Sequence, residues 1–435
     1  MNRTIWTDEW SILAPDQQPV LRGMTLSAAG AEQAERWTKS RLLEVQELRG
    51  GLRIATRSYV GTVRLNDLTL HIRPKIGPET LPVFMRYALE LPAVSRQGPA
   101  LTPTVGGGFL DLLGLLFLEE LDLVLRSGMF QDYRPAEAWL TSPRGQLRFT
   151  ELARQPYRTA LGLPCRYAQR TPDLVLNQLL GAAARVLSTA VTDRRLQFEL
   201  HARESMLAEQ CQRVPLSLAL LDDSRAALDR RSAYYEPAVR LAELVLSGKG
   251  PAFEDGERAP LPGFLFNMDL LFERFVARLC REFAPPGVRV EAQEQSAAAY
   301  RYRLNPDGWA LPRLRPDLVI RTAAGAPQLV LDTKYKLLAG RPPSPADLYQ
   351  LTLYSLSFGR GAAVPARLLY PTLRSGAEEP QLDFYGFQQA GPLASVSLLG
   401  LNLGNCASAL RTRDAGTLRK LVGEWVTPLS LTPTA

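Results

Sequence analysis

Histidine is almost missing from this chain. His71 and His201 are the only two in 435 residues, so a histidine-ligated zinc site or a Ser-His-Asp triad would have to use one of them, and neither lies in a supporting motif. The four cysteines, Cys165, Cys211, Cys280 and Cys406, are widely spaced, carry no metal-ligand spacing and read as reduced thiols. Long apolar runs are also lacking. The most apolar stretch, Phe109 to Leu118, is too short to span a bilayer and runs into Glu119, Glu120 and Asp122, which predicts a buried helix. No secretory leader pattern opens the sequence, so a cytoplasmic protein without membrane attachment is expected. A phosphate-binding loop is missing too: Ser247-Gly248-Lys249-Gly250 has neither the earlier glycine nor the following Ser/Thr. The chain is therefore expected to bind no nucleotide itself. Metal chemistry, if present, falls to carboxylates, which favour hard cations such as magnesium, with manganese as a substitute.

Carboxylates do occur in a suggestive pattern. Arg315-Pro316-Asp317 precedes the apolar run Leu318-Val319-Ile320-Arg321. A Gly/Pro turn follows, then Gln328-Leu329-Val330-Leu331 leads into Asp332-Thr333-Lys334. Two short β-branched runs around such a turn predict an antiparallel hairpin. With Arg321 paired to Gln328, the register sets Asp317 opposite Asp332, where like charges repel unless a cation binds both. Period-2 alternation puts Lys334 on the same face. Two acids and a lysine at one sheet edge suit metal-assisted phosphodiester hydrolysis: Asp317 and Asp332 as metal ligands, Lys334 to place the water or stabilise the transition state.

Neighbouring residues extend the pattern. Ser344 and Pro345 predict a helix N-terminus, with Asp347 as its capping partner. Gln350 and Tyr354 share that helix's face, expected to lie toward the acids and to hold the lysine or a nucleic-acid backbone. Glu273 flanks the apolar stripe Phe272, Phe275, Val276, Leu279 and Phe283 of another helix, capped by Asn267, and stands as either a further metal ligand or a solvated acid. Lys336 would suit a phosphate or solvent. Net charge is +7, and from Leu261 onward 19 Lys and Arg face 14 Asp and Glu, compatible with a polyanionic substrate.

Four segments are expected: a β-rich part over 1–92, a helical middle over 93–250, a Gly/Pro-rich linker over 251–263, and an α/β part over 264–435. Strands are expected at 53–56, 59–63, 68–73, 288–291, 300–302 and 366–370.

The C-terminal part resembles the PD-(D/E)xK nuclease superfamily, on Pro316-Asp317, Asp332-Thr333-Lys334 and Gln350-x-x-x-Tyr354. The phrase Leu331-Asp332-Thr333-Lys334-Tyr335-Lys336 looks like the McrC family, the nuclease subunits of the McrBC modified-cytosine restriction system. Tyr59-Val60-Gly61, Ile72-Arg73-Pro74-Lys75-Ile76, Arg144-Gly145 and Asn177 match that family's pattern as well. The resemblance implies a PD-(D/E)xK core, a mixed sheet flanked by helices, behind the β-rich and helical regions. It implies a magnesium-dependent endonuclease with catalytic Asp317, Asp332, Lys334 and Gln350 and with Asp317 and Asp332 as metal ligands; the reading of the residues adds Glu273 as a candidate metal ligand and Lys336 and Tyr354 as candidate DNA contacts. Its implied partners are a McrB-like hexameric AAA+ GTPase, engaged by the 1–92 region, and double-stranded, modified DNA. Cutting both strands with one site per chain suggests a dimer of the nuclease part. Two other readings stay open: an adaptor that activates an AAA+ motor, and a stand-alone repair nuclease.

Overall fold

The computed structural model describes residues 3–92, 108–155, 157–158, 162–248, 263–293, 303–304, 307, 310, 313–336, 342–359, 363–372, 380–386 and 391–428. The strand expected at 300–302 and most of the 251–263 linker lie outside them. The architecture has β-rich sheets in the N-terminal part, a helical middle and a mixed sheet with helices in the C-terminal part. By compactness the chain groups into two units. One combines residues 1–60, 65–95 and 267–435, and the other combines 61–64 and 96–266.

In the first unit, Arg3–Asp8 runs parallel to Leu68–Arg73, from Arg3 beside Leu68 to Asp8 beside Arg73. Pro74 follows, and with no N–H to donate it ends the strand. Gly51–Thr56 pairs antiparallel with Leu43–Leu48 on one side and Ile12–Leu13 on the other. The Ala28–Lys39 helix starts where the Ser27 hydroxyl accepts from the Gly30 N–H, a cap worth about 1 kcal/mol.

The C-terminal part of this unit carries a six-stranded sheet in the order Val288–Ala292, Leu318–Thr322, Pro327–Thr333, Ala366–Thr372, Pro392–Asn402, Gln381–Tyr385. Its outer pairs are antiparallel and its two central pairings parallel. Central strands buried on both faces should read as continuous apolar runs, and Leu318-Val319-Ile320 and Leu329-Val330-Leu331 are all fully buried. The Pro345–Phe358 helix lays Tyr354 and Phe358 on Val319 and Val330, and Leu351 on Ala366, Leu368, Val396 and Leu398. The Met268–Phe283 helix buries Phe272, Phe275, Val276 and Leu279 of the predicted stripe, while Phe283 at its end is only half-buried, and its Asn267 cap accepts from the Asp269 N–H at 2.9 Å. Phe272 meets the Tyr335 ring at 5.9 Å. Tyr335 lies just past the end of the Pro327–Thr333 strand.

The second unit holds the helices Phe109–Ser127, Val175–Ala190, Arg194–Ala208, Leu218–Ala226 and Glu236–Gly248. It also holds a sheet that the helical reading of 93–250 leaves out: Asp132–Leu140 and Gln146–Leu147 on either side of Leu163–Thr171. The half-exposed faces of these strands give little hydrophobic alternation, which hides them from the sequence. Gly61 has φ 133°, and a Cβ there would run into the Phe264 carbonyl. Gly145 has φ 70°, and a Cβ there would run into the Arg166 carbonyl. Both positions require glycine for a close backbone approach. Asn177 is fully buried and donates to the carbonyls of Phe130 at 2.9 Å and Pro172 at 2.6 Å. It is a tie inside this unit. Among the described residues no helix is long and apolar enough to cross a membrane, and the Phe109–Ser127 helix is buried along most of its length.

Candidate active site

The hairpin forms with the predicted register through its working half. Leu318 faces Leu331, Val319 faces Val330 and Ile320 faces Leu329. One further step sets Asp317 across from Asp332. The register breaks at the other end: Arg321 pairs with Pro327, not Gln328, after an irregularity between Ile320 and Arg321. The turn is the cause. Thr322 donates its N–H to Ala326 O at 2.8 Å, and Gly325, at φ 85°, donates to Thr322 O at 2.9 Å. Pro327 has no N–H to complete a regular ladder, so the extra residue is absorbed as a bulge.

The two acids are held by different means. Asp317 Oδ2 accepts from the Thr333 N–H and from the Thr333 hydroxyl, each at 2.6 Å. Asp332 Oδ2 lies 2.6 Å from Lys334 Nζ and finds no further donor among the described residues. Asp332 is 2 % exposed. Burial, and then the nearby charge of Asp317, push its carboxyl up to about 7 against the pull of Lys334. Burial works against the Lys334 ammonium, but Asp332 and Asp317 outweigh it and its pKa is raised. Lys334 is thus a cation at any physiological pH, while Asp332 sits at the edge of ionisation.

The remaining predicted residues divide into neighbours and supports. Glu273 lies within electrostatic reach of Asp317: burial, then Asp317, raise its carboxyl. It accepts from Gln293 Nε2 at 2.7 Å, so it is not a freely solvated acid. Among the described residues Gln350 shows no hydrogen bond to Lys334. Its amide donates to the Tyr354 hydroxyl at 2.7 Å, which in turn donates to the Arg315 carbonyl at 3.1 Å. Tyr354 is 3 % exposed and packs in the core, so as placed it offers no face to DNA. Its hydroxyl ties the helix to the segment before Asp317. Lys336 is half-buried and pairs with Asp347 at 3.0 Å. Asp347 also forms the predicted capping box with Ser344.

Two acids went unnoticed in the sequence. Asp269 accepts from the Ser58 hydroxyl and, at 3.3 Å, from the Tyr335 N–H, and burial raises its carboxyl. It had only the signature of a first-turn helix acid. Glu9 accepts from the Tyr335 hydroxyl at 2.7 Å. Nothing local marks it.

Among the described residues no three His, Cys, Asp or Glu side chains converge as a ready metal cage. Asp317 and Asp332 nevertheless fit a magnesium ion, which takes one or two carboxylates and fills its octahedron with water and substrate phosphate. The buried Asp332 carboxylate, opposed by a second acid, is a charge that a divalent cation would relieve.

The profile of the family described as "McrBC 5-methylcytosine restriction system component" matches residues 54–371, which include the hairpin and Tyr354. Among solved structures, the chain is similar to one in the refined half-complex from a tetradecameric assembly of Thermococcus gammatolerans McrB AAA+ hexamers with bound McrC. There the identity is 17 %, the TM-score 0.62, and the alignment covers 96 % of this chain and 98 % of that one. A second, the cryo-EM structure of the Thermococcus gammatolerans McrBC complex, aligns at 18 % identity and a TM-score of 0.45, over 63 % of this chain and 86 % of that one. No curated protein matches. The family match spans most of the chain and includes both acids of the hairpin: this protein belongs to the McrBC 5-methylcytosine restriction system component family.

Proposed function

We propose that the chain is the McrC-like, metal-dependent DNA endonuclease subunit of a McrBC-type restriction system. The observation that carries this reading is the convergence of Asp317, Asp332 and Lys334, with Lys334 Nζ 2.6 Å from Asp332. Asp317 and Asp332 would hold magnesium, or manganese in its place. When bound, the ion would polarise a phosphoryl oxygen and lower the pKa of an attacking water. Thr333 keeps the Asp317 carboxylate turned toward the strand end through its two hydrogen bonds. Lys334, which stays charged, would stabilise negative charge on the phosphorane-like transition state. Gln350 acts as a positioning residue, holding Tyr354 against the Arg315 carbonyl and so the turn that presents Asp317. Lys336, half-exposed beyond Lys334, would meet the phosphate backbone at the expense of its pair with Asp347. Glu273 would join the metal site through a water or after release by Gln293.

The family membership supports a reading of partner and substrate. The similar solved complex pairs McrB AAA+ hexamers with McrC, and this chain would likewise work with a hexameric AAA+ GTPase that finds and translocates double-stranded, modified DNA. Two copies of the nuclease part would cut the two strands. Full-length chain assembled with a McrB-type partner, magnesium and DNA should cleave; Asp332→Ala should not, while folding and partner binding persist. Undiminished cleavage by Asp332→Ala overturns the assignment.

A further inference from the structure

Every polar atom of Tyr335, the residue after Lys334, is bound. Its N–H donates to Asp269 at 3.3 Å, its carbonyl accepts from Trp10 Nε1 at 3.2 Å, and its hydroxyl donates to Glu9 Oε1 at 2.7 Å. Two of these three partners belong to the first ten residues of the chain. They are themselves tightly held. Glu9 donates its N–H to the Arg73 carbonyl at 3.0 Å and accepts from the Lys75 N–H at 2.7 Å, which locks it to the corner after the Leu68–Arg73 strand. Trp10 has φ 55°, a left-handed conformation that costs a bulky residue roughly 1–2 kcal/mol.

The corner carries a second cost. Glu9 is 1 % exposed, its Oε2 is buried without a hydrogen-bond partner among the described residues, and burial pushes its carboxyl up to about 7. A buried acid and a strained tryptophan side by side persist only where the surroundings over-determine them, and such costs gather at functional sites. A simple core contact would be served better by an apolar pair.

We infer that Glu9 and Trp10 are positioning residues of the candidate nuclease centre, acting through Tyr335 to fix the strand end that carries Asp332 and Lys334. The inference rests on reading those two residues as the nuclease groups. Lys334 is one peptide bond from the clamp, and a reacting constellation tolerates misplacement of only about 0.5 Å. The centre is therefore set by the placement of the Glu9–Trp10 corner that follows the N-terminal strand.

The test uses the full-length chain carrying Glu9→Ala, Tyr335→Phe or Glu9→Gln. Two readouts are taken: amide hydrogen exchange at Lys334 in metal-free protein, and magnesium-dependent DNA cleavage per folded molecule with a McrB-type partner. Glu9→Ala and Tyr335→Phe should each speed exchange at Lys334. Each should also lower cleavage about 10- to 100-fold, the usual effect of losing a support behind a metal site. Glu9→Gln keeps the acceptor for the Tyr335 hydroxyl and should restore both readouts to within a few-fold. Wild-type exchange and wild-type cleavage in Glu9→Ala overturn the inference, as does a Glu9→Gln that is as impaired as Glu9→Ala. The Asp332→Ala control separates the two readings: a dead Asp332→Ala beside a fully active Glu9→Ala fails the positioning role alone.

Discussion

Thr333 donates both its backbone N–H and its hydroxyl to one oxygen of Asp317, at 2.6 Å each. The residue between Asp332 and Lys334 thus reaches across the hairpin to orient the opposing acid. The three-residue phrase Asp332-Thr333-Lys334 acts as a unit, with its middle member as a support.

Thr333→Val preserves volume and the N–H donor but removes the hydroxyl. A hydrogen bond to a charged group is worth about 1.5–3 kcal/mol, so Asp317 should become less well oriented. Cleavage should fall roughly 10-fold and the magnesium concentration for half-maximal rate should rise. A magnesium titration of the cleavage rate checks both; an unchanged midpoint would deny Thr333 its role.

Asp332→Asn should abolish cleavage and at the same time stabilise the metal-free protein at neutral pH. Burial and Asp317 raise the Asp332 carboxyl to about 7, so ionising it works against the fold, and asparagine removes that cost. Thermal melts in EDTA should show a higher midpoint for Asp332→Asn than for wild type. A lower midpoint would mean that the ion pair with Lys334 outweighs the burial.

Stability should fall as pH rises from about 4 to about 7. Glu9 ionises near 4.5 in an unfolded chain, while burial raises it to about 7 in the fold against the pull of Lys75 and the Tyr335 hydrogen bond. Between those values the folded state binds the extra proton, so its stabilisation is full below the lower value and is lost through the upper one. Asp332 adds to the same window. Glu9→Gln should flatten this slope in denaturant titrations across pH 4–8, and an unaltered slope would place the Glu9 titration elsewhere.

Tyr354→Phe removes the donor to the Arg315 carbonyl and the acceptor for Gln350. Loss of about 1 kcal/mol of stability is expected, with a several-fold drop in cleavage as the turn before Asp317 loosens. DNA affinity measured without magnesium should stay unchanged, because the side chain is buried. A large loss of affinity would return Tyr354 to the DNA interface.

Much of this was legible because it is local. The hairpin register from Leu318–Leu331 to Ile320–Leu329, the Ser344–Asp347 capping box and the Asn267 cap each depend on residues a few positions apart. The bulge at Arg321 was not legible, since turn geometry and the missing N–H of Pro327 settle it together. The sheet around Leu163–Thr171 was hidden by its exposed faces, where period-2 alternation is weak. The spacing of Gln350 and Tyr354 puts them on one helical face, but a face only says which side looks at the sheet. Burial decided that the pair looks at Arg315 and the core.

The sequence by itself determined the chemistry available to this protein: carboxylates and lysine, almost no histidine, no phosphate-binding loop, and a hairpin whose period-2 alternation sets two acids and a lysine on one face. Those are properties of residue type and short spacing. Tertiary structure alone decided which groups support them. Glu9 meets Tyr335 across more than three hundred residues, and only folding, which places the Leu68–Arg73 corner and the Lys334 strand end against the same buried carboxyl, brings that contact about.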